Sequence, residues 1–388
     1  MPNYDLVILG AGPAGTAAAV TGRRAGLSVA LVDKAGFPRV KLCGGLVTGR
    51  CARHLHDIFG LTPAPPLFET RRNFEFLMDG RALAVLDNVP PAYLTMRWDL
   101  DHLLFSRAIA AGAADYSGQR VDRLDLAGNQ VRLKSGAALR YGCLIGADGV
   151  QSIVAGALFG ASFDKRKVGF ALEIEAPARA ADTATPLRID FDAARWGYGW
   201  CFPKRASTTI GVCGLHTRNP DMKARLAAYR ALLGMGDAAK VKGHFLPFGG
   251  YRRAPGRGNV LLAGDAAGFV DPITGEGIGY AVQSGALAAR AAAAALSARR
   301  PERALSHYRP MTRPIRAALR AARLLRPIIF CAPLKPFFAS TFRRSRRIKR
   351  DYMRLLSGDT EYSRILGRTV LRLPRAALLW AWRQKPGR

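Results

Sequence analysis

Gly10, Gly12 and Gly15 stand at GxGxxG spacing directly after the aliphatic run Tyr4–Leu9, YDLVIL. Glycines so placed let the backbone approach a pyrophosphate, and the following helix N-terminus offers unpaired N–H groups and a positive dipole end. Ala14 to Ala25 can form that helix. A second strand, Ser28 to Val32, then ends at Asp33, 23 positions after the first glycine, where a carboxylate would meet a ribose hydroxyl. The chemistry implied is the binding of a dinucleotide.

Two later segments decide which dinucleotide. Tyr141–Val150 reads YGCLIGADGV, a strand entering the Asp148-Gly149 turn, with Ser152 following. Asn259–Ile278 reads NVLLAGDAAGFVDPITGEGI, a strand ending at Gly264-Asp265, a turn at Pro272, and a glycine-rich helix start at Gly275 and Gly277. Asp265 can bind the hydroxyls of a ribityl chain, and N–H groups at the second helix start can serve the carbonyls of a flavin pyrimidine ring. FAD is therefore the expected cofactor. Glu276 sits at that helix start, where dipole compensation and proton transfer explain it equally well. His54 and His56 would point apart on a helix and have no third ligand nearby, and the six cysteines (43, 51, 143, 201, 213 and 331) form no CxxC pair, so no metal site is expected.

The elements that must position these groups read as α/β: a Rossmann-type FAD-binding domain, an inserted antiparallel-sheet substrate domain and a basic helical C-terminal region. The short alternating runs FEFLM, ALAVL, GFALEIEA, LRIDF and TTIGVCG predict the inserted sheet, and Asp221 to Leu233 an amphipathic helix at its edge. Pro63 to Pro66 reads as a connector. The expected division is 1–69, 97–158 and 255–300 for FAD binding, 70–96 and 159–254 for the substrate sheet, and 301–388 for the basic tail.

With these residues in view, roughly the first 300 residues resemble the FAD-dependent monooxygenase and reductase superfamily typified by aromatic hydroxylases, and within it the geranylgeranyl reductase family. Lys41-Leu42-Cys43-Gly44-Gly45 is similar to that family's KxCGG segment near the flavin, Tyr198–Pro203 (YGWCFP) to its YxWxFP motif lining the substrate cavity, and GDAAGFVDPITGEGI to its second flavin segment. Gly268 stands where aromatic hydroxylases usually carry His after GDAA, and Tyr198 and Phe202 depart from the WxWxIP of flavin halogenases. Arg97 with Asp101 and Leu104 fits the superfamily's RxxxDxxL helix, whereas the arginine that usually ends the DG segment is Ala155 here. The resemblance implies that FAD is held by Gly10, Gly12, Ala14, Gly15, Asp33, Lys34, Cys43, Gly44, Arg97, Val121, Asp148, Gly264, Asp265, Gly275, Gly277 and Ile278. It also implies saturation of C=C bonds in a geranylgeranyl-type lipid, with NADPH or reduced ferredoxin as electron donor. Gly234 and Gly236 form only a loose GMG and give no second nucleotide fingerprint.

An isolated alkene is not electrophilic, so hydride addition has to be coupled to protonation of the other carbon. Tyr198 and Trp200 can stabilise the cationic character that results, or can simply pack the sheet. Cys43 can touch the flavin or relay a proton, or be a small buried thiol. The alternative enzyme is an FAD-dependent monooxygenase acting on an apolar aromatic or polyketide; a third reading is a membrane- or RNA-binding protein with a vestigial flavin fold, which would need a broken nucleotide loop.

The 388 residues carry 59 Lys and Arg against 28 Asp and Glu, a net +31. Residues 299–388 hold 24 of the basic and 4 of the acidic side chains, so the charge belongs mainly to the tail. Its segments ALRAARLLRPIIF, FRRSRRIKR and AALLWAWRQK suggest either peripheral contact with anionic membrane or a solvated helical cap. No nucleic-acid partner is expected, since no DNA- or RNA-binding motif accompanies the charge. The opening residues show no secretory signal and no run is long enough to span a bilayer, so a cytoplasmic location is expected, on the inner face of the membrane if the tail binds lipid.

Overall fold

Leu6, Val7, Ile8 and Leu9 are all buried, and a strand buried on both faces belongs at the centre of a parallel sheet. In the computed structural model, which describes residues 1–178, 185–236 and 240–367, Asn3–Leu9 pairs in parallel with Val29–Val32 on one side and with Ala138–Gly146 on the other. The sheet runs Gly256–Arg257, Val260–Leu262, Ala138–Gly146, Asn3–Leu9, Val29–Val32, Ala114–Tyr116, and the hairpin of Val121–Asp125 and Gln130–Leu133 joins it through Ala138–Gly146.

The helices are α1 (Pro13–Arg24), α2 (Gly49–Phe59), α3 (Arg97–Ala110), α4 (Ile153–Phe159), α5 (Met222–Leu232), α6 (Ile278–Ser297), α7 (Ala304–Met311), α8 (Arg313–Phe330), α9 (Lys335–Arg344) and α10 (Arg346–Ser357). Small residues bring α1 and α6 together: a Cβ on Gly285 would stand 2.0 Å from the Ala14 carbonyl oxygen, and the alanines of α6 at 288, 289, 291, 292 and 295 are fully buried. That close approach sets the two flavin-segment helices side by side.

A second sheet follows the order Lys242–Leu246, Gly169–Pro177, Ser207–Leu215, Tyr198–Pro203, Leu187–Phe191, Phe74–Met78, Arg81–Leu86. Its ladders are antiparallel except that Leu187–Phe191 and Phe74–Met78 run in parallel. Of the predicted 70–96 segment, Phe74–Met78 and Arg81–Leu86 join this sheet, but Ala92–Leu94 pairs with Leu46–Val47 and Glu69–Arg71 in a separate three-stranded sheet. Period-two alternation fixes which side chains share a face but not which sheet a short strand enters, which explains that difference.

The two faces of the second sheet are both covered. Leu172, Ile174, Ile210 and Val212 pack on Met222, Leu226 and Tyr229 of α5, which lies on the face rather than at the predicted edge. The opposite face meets α8, α9 and α10 through an aromatic cluster, with ring centroids 5.3 Å apart for Phe76 and Phe342 and 5.5 Å for Phe191 and Phe338. The apolar stripe of α8, including Ile315, Leu319, Ala322, Leu325 and Ile329, is thus spent on protein, while Arg313, Arg320, Arg323 and Leu324 remain exposed. Ala376 to Lys385, the AALLWAWRQK segment, lies outside the described residues.

Candidate functional site

A cavity of about 910 Å³ extends from the GxGxxG turn to the second sheet. At the turn, Gly10 has a φ of +98° and lies so close to the next βα turn that a Cβ would stand 2.3 Å from the Ala147 oxygen. A Cβ on Gly15 would stand 1.7 Å from the Gly10 oxygen, so this glycine packs helix against strand behind the cavity wall. Gly12 differs: it lines the cavity, and the nearest atom to a Cβ there is the Arg39 guanidinium, 3.4 Å away. Helix α1 begins at Gly12 with no side-chain cap, leaving the N–H groups of its first turn to the cavity.

Of the expected FAD-binding residues, Gly10, Gly12, Ala14, Asp33, Lys34, Cys43, Gly44, Arg97, Val121, Asp148, Asp265, Gly275, Gly277 and Ile278 all line this one cavity. Gly15 and Gly264 do not. The Gly264 N–H donates to Ser284 Oγ, and this glycine packs on Ala14 and Ala281, so it ties the 264–265 turn to α6. Asp33 accepts from the Ala11 and Ala35 N–H groups at 2.7 and 2.9 Å, which fixes its carboxylate at the end of the strand. Arg97 is paired with Asp101 by two hydrogen bonds of 2.6 and 2.7 Å, and Arg39 shares the same carboxylate at 3.1 Å. Burial raises the carboxyls of Asp148 and Asp265 above the ordinary range, with Lys41 and Arg97 opposing the shift at Asp265. An uncapped helix start, a side-chain-free Gly12 and carboxylates spaced along one groove fit the parts of FAD: pyrophosphate at α1, a ribose at Asp33 and a ribityl chain at Asp265.

The far end of the cavity is formed by the two remaining motifs packed on each other. A Cβ on Gly44 would stand 3.0 Å from both the Phe202 ring and Trp200 Nε1, and Gly211 lies against the face of the Trp200 indole. Tyr198 donates its hydroxyl to the Thr274 carbonyl at 2.7 Å, bracing the strand against the Gly275 turn. Burial drives its pKa well above 10. The three expected catalytic residues, Cys43, Tyr198 and Trp200, therefore share one wall system, joined there by Ile189, Phe202, Tyr352 and Leu356.

Several residues at the site escaped sequence reasoning. Glu173 accepts the Cys43 N–H at 3.0 Å, its other oxygen has no partner, and burial together with Glu175 raises its carboxyl to about 7. The charged pair within GFALEIEA was the available signal, because carboxylates in an apolar strand require a partner. Lys41 contacts His244, with burial lowering Lys41 to about 8 and His244 to about 4. Tyr352 and Leu356 come from a helix whose basic residues gave no hint of a cavity wall. Glu276, by contrast, was singled out in the sequence for dipole compensation or proton transfer; it accepts from the Thr48 hydroxyl at 2.6 Å, and α6 starts only at Ile278.

The chain matches the models of an FAD dependent oxidoreductase over residues 5–60 and of an FAD binding domain over residues 250–322. It is 33% identical over 314 residues to menaquinone reductase of Mycobacterium tuberculosis, an alignment covering 74% of this chain and 76% of the relative. With the geranylgeranyl diphosphate reductase of Rhodobacter capsulatus it shares 30% identity over 324 residues, 77% of each chain. The chain belongs to the geranylgeranyl reductase family. It is an FAD-dependent oxidoreductase. The family's fold extends to a solved geranylgeranyl bacteriochlorophyll reductase-like protein from Thermoplasma acidophilum, with a TM-score of 0.77, 18% identity and coverage of 95% of this chain and 99% of that one. No helix among the described residues is long and apolar enough to cross a membrane.

Proposed function

We propose that this protein saturates C=C bonds of a long-chain isoprenoid lipid, drawing electrons from NADPH or reduced ferredoxin. One observation carries the reading: the groove that fits FAD ends, without a break, in a pocket walled by Cys43, Tyr198, Trp200, Phe202 and Leu356. Bound and reduced, the flavin supplies hydride. The chain's residues hold the alkene beside it: the aromatic faces stabilise positive charge at low dielectric, and the sheet and α10 keep water away. Tyr198, with its hydroxyl committed to Thr274, braces the wall and holds its proton. Relatives named for geranylgeranyl diphosphate and for menaquinone support an isoprenoid chain as the shared substrate element. Exposed arginines on α8 and α10 support peripheral docking on anionic lipid, where such a substrate is found.

The test is anaerobic. The yellow protein is reduced with dithionite and mixed with geranylgeranyl diphosphate or menaquinone, and flavin reoxidation is followed together with product mass. Reoxidation with a gain of two hydrogens per bond is expected. Flavin that stays reduced until oxygen enters, then yields an oxygenated aromatic product, would hand the site to the monooxygenase reading.

A further inference from the structure

Alkene saturation needs an acid as well as a hydride, and the cavity wall offers several titratable groups, among them Lys41, Cys43, Asp265 and Glu276. Tyr198 donates its hydroxyl to the Thr274 carbonyl, Asp265 is raised by burial but has the cations Lys41 and Arg97 opposing that shift, and Glu173 is not on the wall. Glu276 is on it. It stands one residue from Gly275, whose missing Cβ makes room for the Tyr198 hydroxyl, at 2.2 Å. It is ringed by Thr48, Arg50 and Cys51 of the α2 segment, Asp271 of its own loop, Tyr280 of α6 and Glu361 beyond α10.

Resting on the reductase reading above, we propose that Glu276 is the proton donor of the reaction. The Thr48 hydroxyl donates to Oε1. That leaves Oε2 to carry the proton, on a residue that lines the cavity. As hydride from the reduced flavin bonds to one alkene carbon, the proton of Oε2 bonds to the other; the flavin is oxidised by two electrons, the double bond is reduced, and Glu276 is left as carboxylate to be reprotonated from solvent. Burial, reinforced by Asp271 and Glu361 and opposed by Arg50 and Thr48, raises this carboxyl to about 7, so it is an acid at neutral pH. A charge compensating the α6 dipole would need the opposite shift.

The experiment uses the flavin-loaded protein and its Glu276→Gln and Glu276→Asp variants, with geranylgeranyl diphosphate and menaquinone as probes. Glu276→Gln is expected to keep its FAD and its reduction by dithionite but to slow probe-driven reoxidation by roughly 10²–10³-fold. Glu276→Asp should recover part of the rate. In the wild type the rate should fall as pH rises through about 7. Infrared titration gives a readout independent of turnover: a carboxylic-acid C=O band lost through the same pH range in the wild type and absent from Glu276→Gln. Wild-type turnover with an unslowed Glu276→Gln, or a wild type without the titrating band, overturns the assignment alone. Wild-type flavin that stays reduced against both probes overturns the reductase reading and this assignment with it. If Glu276→Gln does not retain flavin, the band in the wild type and the rate of Glu276→Asp decide.

Discussion

Gly12 and Gly15 are three positions apart and should fail in different ways. A side chain at 12 projects into the cavity past Arg39, whereas one at 15 collides with the Gly10 backbone. Gly12→Leu is therefore expected to fold and purify colourless, and Gly15→Leu to misfold; absorbance of bound flavin and circular dichroism separate the two. An unchanged flavin content in Gly12→Leu would remove the pyrophosphate from this position. Glu173 makes a prediction in pH. Its folded carboxyl titrates near 7 against an ordinary value of 4.5, so its acid form stabilises the fold fully below the lower value, and that contribution is lost as pH rises towards the higher one. Glu173→Gln, which cannot ionise, should melt above the wild type at about pH 8 and lose that advantage below about pH 4. At Trp200 the indole face rests on Gly211, where a Cβ would come within 2.2 Å of the ring. Gly211→Val should push the indole into the pocket, cutting turnover of long isoprenoids while sparing flavin content.

At the level of elements, α9 and α10 are fixed to the second sheet by aromatic packing, and α10 adds Tyr352 and Leu356 to the cavity wall. Phe342 is 1% exposed and touches Phe76, Phe191, Phe338 and Tyr352. Phe342→Ala should cost about 3–5 kcal/mol and loosen the substrate end first, as seen in thermal unfolding and in protease sensitivity of residues 335–357. The nucleotide-binding elements were legible because each is local: strand, glycine turn, helix, second strand and Asp33 lie within 33 residues. The wall was only partly legible. YGWCFP and KLCGG stood out by composition, yet nothing near either one announces that Gly44 seats on Trp200 and Phe202. Helix α10 was legible only on its basic side, because twelve residues with five Lys or Arg look solvated until Tyr352, Met353, Leu355 and Leu356 are seen to share its inner side.

Over the whole molecule, much of the net +31 lies at the surface: the apolar faces of α8 to α10 are covered by the two sheets and Arg326 is buried against Trp196 and Phe248, but Arg313, Arg320 and Arg323 of α8 and Arg346, Arg350 and Arg354 of α10 are exposed. Sedimentation with vesicles is expected for anionic but not neutral lipid, and binding should weaken steeply with added salt. Equal recovery with neutral vesicles would point to insertion of apolar side chains instead. The order in which the chain supplies the cavity has a further consequence. Every residue lining the dinucleotide groove is translated before Ser297, but Tyr352 and Leu356, which close the substrate end, come only with α10. A nascent chain can thus assemble its redox centre while the reaction chamber is still open on one side. In that interval a reduced flavin would meet dissolved oxygen before it met a substrate, so α10 is the element that turns an open redox centre into a closed reaction chamber.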